Sequence, residues 1–146
     1  MINPLVAWSR TWRLVTYRPD MTVGARLYLA LAPEHLTAGY DLIAPLLESR
    51  GLNHRQVRDP EVLRAIAAHP TWAGKAVVID VDPAISADQL AAELDEALAG
   101  RGLAGPAYLA GARPVGGKSG LVFLRRIGPA AETDDRRQRL ARLLGE

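Results

Sequence analysis

The sequence contains no cysteine, and this absence excludes several kinds of chemistry at once. A chain without thiols has no cysteine nucleophile, no disulfide bond and no thiolate ligand for a metal. The three histidines, His35, His54 and His69, do not lie at the short spacings that are typical of zinc ligands. We therefore expect a protein that uses neither a metal ion nor another cofactor.

Long apolar runs and a strong net charge are also missing. No apolar run approaches the roughly 20 residues that a membrane-spanning helix needs, and the first residues do not have the pattern of a signal peptide. The formal net charge is only +2, and no dense basic run or RNA-binding motif is present. We expect a cytoplasmic protein that has neither a membrane nor a nucleic acid as its partner.

The material that is present is sufficient for one hydrophobic core. The chain has 146 residues, of which 49% are hydrophobic and 23% are charged, as in ordinary globular domains. We predict a single domain over 1–146, with a core over about 24–128 and a C-terminal helix at about 133–144.

Strands are predicted from alternation and from short apolar runs. In the segment 25–31 the leucines lie on one face, whereas Arg26, Tyr28 and Ala30 lie on the other. Further strands are predicted at 12–17, 53–57, 75–80, 107–110 and 120–126. We expect the last two to pair with each other across a glycine-containing loop.

Helices are predicted from capping residues and helical spacing. Pro33 is suited to the first turn of a helix that Gly51 closes, and Pro45 predicts a kink or an early end within it. Asp59-Pro60 opens a second helix, and Ser86 caps a third at 87–99. The order of elements predicts an α+β fold, with helices mainly on one face of a mixed or antiparallel sheet.

Four segments together carry a recognisable pattern, which runs from about Gly24 to Gly128. They are Arg26–Ala30, with Pro33 and Gly51 after it; His54–Asp59, with Val62-Leu63 after it; Gly74-Lys75; and Gly105–Leu109, with Arg113 and the strand that ends in Gly128. These segments resemble the lyase domains of class III and class IV lanthipeptide synthetases, which are relatives of the bacterial effector phosphothreonine lyases. The resemblance implies a phosphothreonine-lyase-like fold.

The resemblance also implies an activity, the removal of phosphate from phosphoserine or phosphothreonine by β-elimination. In the family a lysine takes the Cα proton, a histidine protonates the leaving phosphate, and arginines and lysines hold that phosphate. Lys75, Arg113 and Arg125 stand at matching phosphate-holding positions, and guanidinium groups suit phosphate. Lys118, in a glycine turn, is a further candidate for an anion-binding nest.

The positions of the acid and the base differ from the family pattern. Tyr28 stands where the family has its acid histidine, and Arg26 stands where it has a strand lysine. The base lysine falls on Arg55 or, with a slip of one residue, on Gln56. Arginine is a poor base because it stays protonated. Ordinary elimination by these residues is therefore doubtful from the sequence.

Each candidate also has a structural interpretation. Tyr28 fits a cross-strand aromatic position, and a lone histidine such as His54 is more often structural than catalytic. Arg113, Arg125 and Lys118 fit surface charges. Lys75 begins a buried strand, where a lysine without a further role is uncommon.

Three functions remain open. The departures favour a standalone thioether cyclase of lanthipeptide maturation, in which a precursor cysteine adds to a dehydrated serine or threonine. The alternatives are a phosphoserine/phosphothreonine lyase and a non-catalytic partner that binds the precursor peptide. The candidate catalytic residues are Tyr28, His54, Arg55 and Lys75; the candidate binding residues are Arg26, Arg113, Lys118 and Arg125. A precursor peptide is the expected partner, with separate kinase and lyase proteins beside it.

Overall fold

A computed structural model describes residues 10–16 and 22–127 of the chain. Six antiparallel strands of this part form one sheet, in the spatial order β1-β3-β4-β2-β6-β5. They are β1 Trp12–Thr16, β2 Ala25–Ala30, β3 His54–Val57, β4 Lys75–Val81, β5 Arg113–Pro114 and β6 Val122–Arg126. The predicted C-terminal helix at about 133–144 lies outside the described residues.

Three α-helices accompany the sheet in these ranges: α1 Leu36–Ser49, α2 Pro60–Ala65 and α3 Ala87–Leu98. Short 3-10 helices at Pro33–His35 and Ile66–Ala68 precede α1 and follow α2. Helices α1 and α3 contact each other, and α3 contacts β2 and β6. The fold is α+β with an antiparallel sheet, as the alternation and capping patterns predict. In the described ranges, no helix has both the length and the apolar character needed to cross a membrane.

Helix ends follow the predicted capping chemistry. The Asp59 carboxylate accepts a hydrogen bond from the Val62 N–H at 2.9 Å, and the Ser86 hydroxyl accepts one from the Gln89 N–H at 3.2 Å. Each bond satisfies a backbone donor that the first turn of a helix leaves unpaired. Gly51 follows α1 with a φ of 60°, a left-handed conformation that glycine adopts without strain.

Helix α1 continues past Pro45, so the predicted early end does not occur. Proline removes one intrahelical hydrogen bond, but Ile43 and Leu47 on either side of it are fully buried in the core. The packing of these two side chains holds the helix together across the proline.

The predicted strand at 107–110 is wrong, because β6 pairs instead with the two-residue strand Arg113–Pro114. The segment that precedes Arg113 lies beside the end of β2. There the Ala32 N–H donates a hydrogen bond to the Ala104 carbonyl at 2.8 Å. Gly105 permits this close approach, since a Cβ there would lie 2.0 Å from the Ala30 carbonyl oxygen. The backbone of this segment therefore packs on the end of β2, a contact that the alternation of residues in the sequence does not predict.

The two faces of the sheet carry different side chains. Leu27, Leu29 and Ile79 are fully buried on the face that α1 and α3 cover. The opposite face carries Arg26 and Tyr28 of β2, as the alternation predicts, with Asp80 and Val78 of β4 opposite them. Strand alternation thus separates an apolar face from a face that carries charge.

Candidate functional site

Four cationic side chains come together on the sheet face opposite α1 and α3: Arg26, Arg55, Lys75 and Arg125, which we call the cationic face. Strand register explains their proximity, because Arg26 of β2 pairs directly with Arg125 of β6. Arg55 of β3 pairs with Val78, which in turn pairs with Tyr28. Four separate strands therefore contribute one cation each.

Lys75 reaches this face because the strand pairing is irregular at its start. Leu29 pairs with Val77 but Ala30 pairs with Lys75, so Ala76 is an extra residue on β4. With regular alternation Lys75 would share the apolar face of Val77 and Ile79. The bulge moves it to the face of Tyr28 instead, and bulges that redirect a side chain in this way are common next to active sites.

The Lys75 ammonium group lies in an unusual environment. The residue is 3% exposed, and its Nζ lies 4.5 Å from the ring centroid of Tyr28. Burial and, to a smaller extent, the positive charges of Arg125, Arg26 and Arg55 together lower the pKa of Lys75 to about 8. A lysine with this pKa is partly neutral near physiological pH, so its amine can accept a proton.

Asp80 is a member of this site that the sequence analysis missed. Its Oδ1 accepts a hydrogen bond from Arg26 Nε at 3.0 Å, and the Arg26 side chain remains 32% exposed. The bond involves Nε and does not occupy the two terminal guanidinium nitrogens. The available signal was an acidic residue directly after the apolar run Ala76–Ile79 of β4.

Arg55 and Gln56 are the two positions on which the family's base lysine can fall, and they lie on opposite faces of the sheet. The Arg55 guanidinium lies over the Trp12 ring, 5.3 Å from its centroid, and Trp12 packs edge-on against Trp72. Burial lowers the pKa of Arg55. Gln56 instead accepts a hydrogen bond from Arg13 at 3.2 Å. Of the two residues, only Arg55 contributes to the cationic face.

His54 lies on the apolar face, away from the cationic face. Its Nδ1–H donates to the Leu52 carbonyl at 3.0 Å, so Nε2 accepts a hydrogen bond from the Tyr40 hydroxyl, also at 3.0 Å. Burial lowers the pKa of His54 and so favours the neutral ring. This geometry fits a satisfied structural histidine that joins β3 to α1.

Arg113 and Lys118 are likewise outside the cationic face. Arg113 is exposed, and its guanidinium lies 3.9 Å from the Asp88 carboxylate. The Lys118 ammonium pairs with Glu96, and that hydrogen bond raises the pKa of Lys118. The structure therefore brings together five of the eight candidate residues: Arg26, Tyr28, Arg55, Lys75 and Arg125.

The glycine turn around Lys118 does form an anion-binding arrangement, but the anion is part of the chain. The Lys118 N–H donates to Asp95 Oδ2 at 3.0 Å, and the Ser119 N–H donates to Asp95 Oδ1 at 2.8 Å. The Ser119 hydroxyl adds a third bond to Oδ1 at 2.6 Å. A carboxylate of α3 thus occupies the predicted nest.

Within 10–16 and 22–127, no cluster of three or more histidine, aspartate or glutamate side chains could hold a metal ion. The cationic face itself carries an amine, three guanidinium groups, a phenol and, through Asp80, one carboxylate.

The fold resembles that of phosphothreonine lyases. A matching solved structure is that of the type III effector/phosphothreonine lyase OspF from Shigella flexneri, with a TM-score of 0.56. The two sequences are 17% identical, and the match covers 80% of this chain and 70% of that chain. No protein-family model matches the sequence, and the search of curated proteins gave no match. At this identity the similarity shows the fold alone.

Proposed function

We propose that the protein removes phosphate from phosphoserine or phosphothreonine residues of a peptide by β-elimination. The observation that carries the proposal is Lys75, an amine with a pKa lowered to about 8 that lies among three arginines on one sheet face. An elimination needs a base for the Cα proton and cations for the departing phosphate. Both requirements are met by neighbouring side chains of this face.

The bond changes assign a role to each residue. The Lys75 amine takes the Cα proton, the Cα–Cβ double bond forms, and the bond from Cβ to the phosphate oxygen breaks. Arg26 and Arg125 bind the phosphate as it leaves, since guanidinium forks match phosphate oxygens. The product is a dehydroamino acid, and inorganic phosphate is released.

Two further residues complete the chemistry. Arg55 stabilises the enolate that develops on the adjacent carbonyl, because a fixed cation stabilises charge that appears in the transition state. The Tyr28 phenol is the acid that protonates the leaving phosphate, at the position where the resembled family has histidine. In this assignment the base is Lys75, which the resemblance had given only a phosphate-holding role.

A thioether cyclase on the same site is the second candidate. The observation that favours it is the pair Arg26 and Tyr28, which stand at the positions of the family's strand lysine and acid histidine. Lys75 would then deprotonate a peptide cysteine, and the arginines would stabilise the enolate that the addition produces. For either reaction we propose a precursor peptide of the lanthipeptide type as the substrate.

Mass spectrometry with thiol alkylation separates these candidates. We expect a phosphoserine- or phosphothreonine-containing peptide to lose one phosphoric acid per site on incubation with the protein. Simple loss of phosphate with uptake of water would instead indicate hydrolysis and would contradict the elimination. A dehydrated peptide that keeps its mass but loses its alkylatable thiols, beyond a protein-free control, would assign the cyclase. Binding of both peptides without any chemical change would leave only a peptide-binding role.

A further inference from the structure

The chain is very poor in lysine, and its two lysines occupy opposite environments. Of 18 basic residues, only Lys75 and Lys118 are lysines. Lys118 is exposed on a turn and its ammonium is paired with Glu96. Lys75 is buried beside a tyrosine ring and faces three arginines. A reagent that labels lysine side chains therefore has one buried and one exposed lysine to react with.

A neutral lysine among other cations is a nucleophile as well as a base. Enzymes that form imines with carbonyl substrates desolvate a lysine or place it beside a second cation. In this site the neighbouring cations are guanidinium groups, which also bind phosphate. The combination of an amine and guanidinium groups is complementary to a molecule that carries both a carbonyl and a phosphate.

We propose that the cationic face also binds small phosphorylated aldehydes or ketones and captures them as an imine on Lys75. The Lys75 nitrogen attacks the carbonyl carbon, a carbon–nitrogen double bond forms, and the carbonyl oxygen leaves as water. Arg26 and Arg125 hold the phosphate of the ligand. No oxidant or reductant takes part, and hydrolysis of the imine restores the amine.

Several groups set the charge around this amine. Arg26 and Tyr28 face it from β2, Arg55 from β3 and Arg125 from β6, while Asp80 of β4 pairs with Arg26. A ligand phosphate offsets part of this positive charge. A carbonyl compound without a phosphate lacks that attraction, so it is expected to react with Lys75 more weakly.

Reductive trapping tests the proposal. The protein is incubated with pyridoxal 5′-phosphate or with pyridoxal, the imine is reduced with borohydride, and the labelled lysine is identified by peptide mapping. Relative to the labelling of Lys118 by the same aldehyde, we expect pyridoxal 5′-phosphate to label Lys75 at least about tenfold more than pyridoxal does. Inorganic phosphate is expected to suppress this labelling. Free pyridoxal closes on itself as a cyclic hemiacetal and is therefore less reactive toward any amine, so the labelling of the exposed Lys118 by each aldehyde serves as the reference.

An arginine variant provides the second arm of the experiment. Arg125 is exposed, so R125Q is expected to fold, and it is expected to lose most of the preference for the phosphorylated aldehyde. A ratio of Lys75 to Lys118 labelling that is the same for both aldehydes, or labelling confined to Lys118, would overturn the proposal. A protein that eliminates phosphate but gives no trapped Lys75 adduct would overturn the imine proposal alone and leave the elimination intact.

Discussion

Replacement of Lys75 by arginine is expected to lower the rate of phosphate elimination by about 10²–10⁴-fold, the range of a general base. Arginine keeps the positive charge of the site but does not release its proton at neutral pH. We therefore expect inorganic phosphate to bind K75R about as well as it binds the wild type. The measurement is the single-turnover rate of dehydroamino acid formation beside a phosphate-binding titration.

Matched variants separate catalysis from folding in this experiment. K118R changes the other lysine, on an exposed turn, and is expected to keep full activity. Because Lys75 is buried, K75M serves as a second variant of similar length, and thermal unfolding checks that each variant is folded. Partial recovery of the K75A variant by added methylamine would mark a proton-transfer role. A K75R protein with undiminished elimination would remove Lys75 from the mechanism.

Replacement of Asp95 by asparagine is expected to lower the free energy of unfolding by about 2 to 4 kcal/mol, since hydrogen bonds to a buried charged acceptor are among the strong ones. Asp95 is 6% exposed and accepts bonds from the Lys118 N–H, the Ser119 N–H and the Ser119 hydroxyl. An asparagine amide would present N–H groups to at least one of these donors. Chemical denaturation measures the loss.

The same carboxylate predicts a pH dependence. Burial raises the pKa of Asp95, but the hydrogen bonds from Ser119 and from the Lys118 backbone outweigh burial, so the net pKa lies below its ordinary value of 3.8. The stabilisation is therefore complete above that ordinary value and is lost as the pH falls through the lowered pKa of the folded protein. The stability difference between wild type and D95N should shrink over this acidic window.

Glu96 provides the control for the Asp95 variant. It is adjacent on α3 and pairs with the Lys118 ammonium, but that pair is exposed. Exposed pairs contribute little to stability, so E96Q is expected to unfold almost as the wild type does. Equal stabilities of D95N and the wild type at neutral pH would show that the turn does not depend on the Asp95 carboxylate.

Alternation and capping signals predicted most of the sheet and helices because these features are local. The segment 25–31 shows its two faces in the sequence, and Asp59 and Ser86 mark helix starts with their own side chains. The strand predicted at 107–110 was wrong, since β6 pairs with Arg113–Pro114, while the preceding segment packs its Gly105 backbone on that of Ala30. A contact between distant segments leaves no periodic signal.

The residues that form the cationic face were only partly predictable, because contacts between separate strands bring some of them together. Arg26 and Tyr28 follow from alternation within one strand, whereas Lys75 reaches their face through a bulge that alternation does not reveal. His54 neighbours Arg55 in sequence but points to the other face, where Tyr40 and Leu52 satisfy it. Asp80 became a member through its ion pair with Arg26, which depends on strand register.

Nuclear magnetic resonance of the lysine side chains tests most directly the claim that Lys75 is a base within a phosphate site. With ¹³C-labelled lysine the chain gives two signals, which K118R assigns. We expect the Lys75 signal to titrate near pH 8 and the Lys118 signal above the ordinary value of 10.5. Inorganic phosphate should raise the pKa of Lys75 and leave Lys118 unchanged. Two signals that both titrate at or above 10.5, and that do not respond to phosphate, would contradict the assignment of Lys75 as the base.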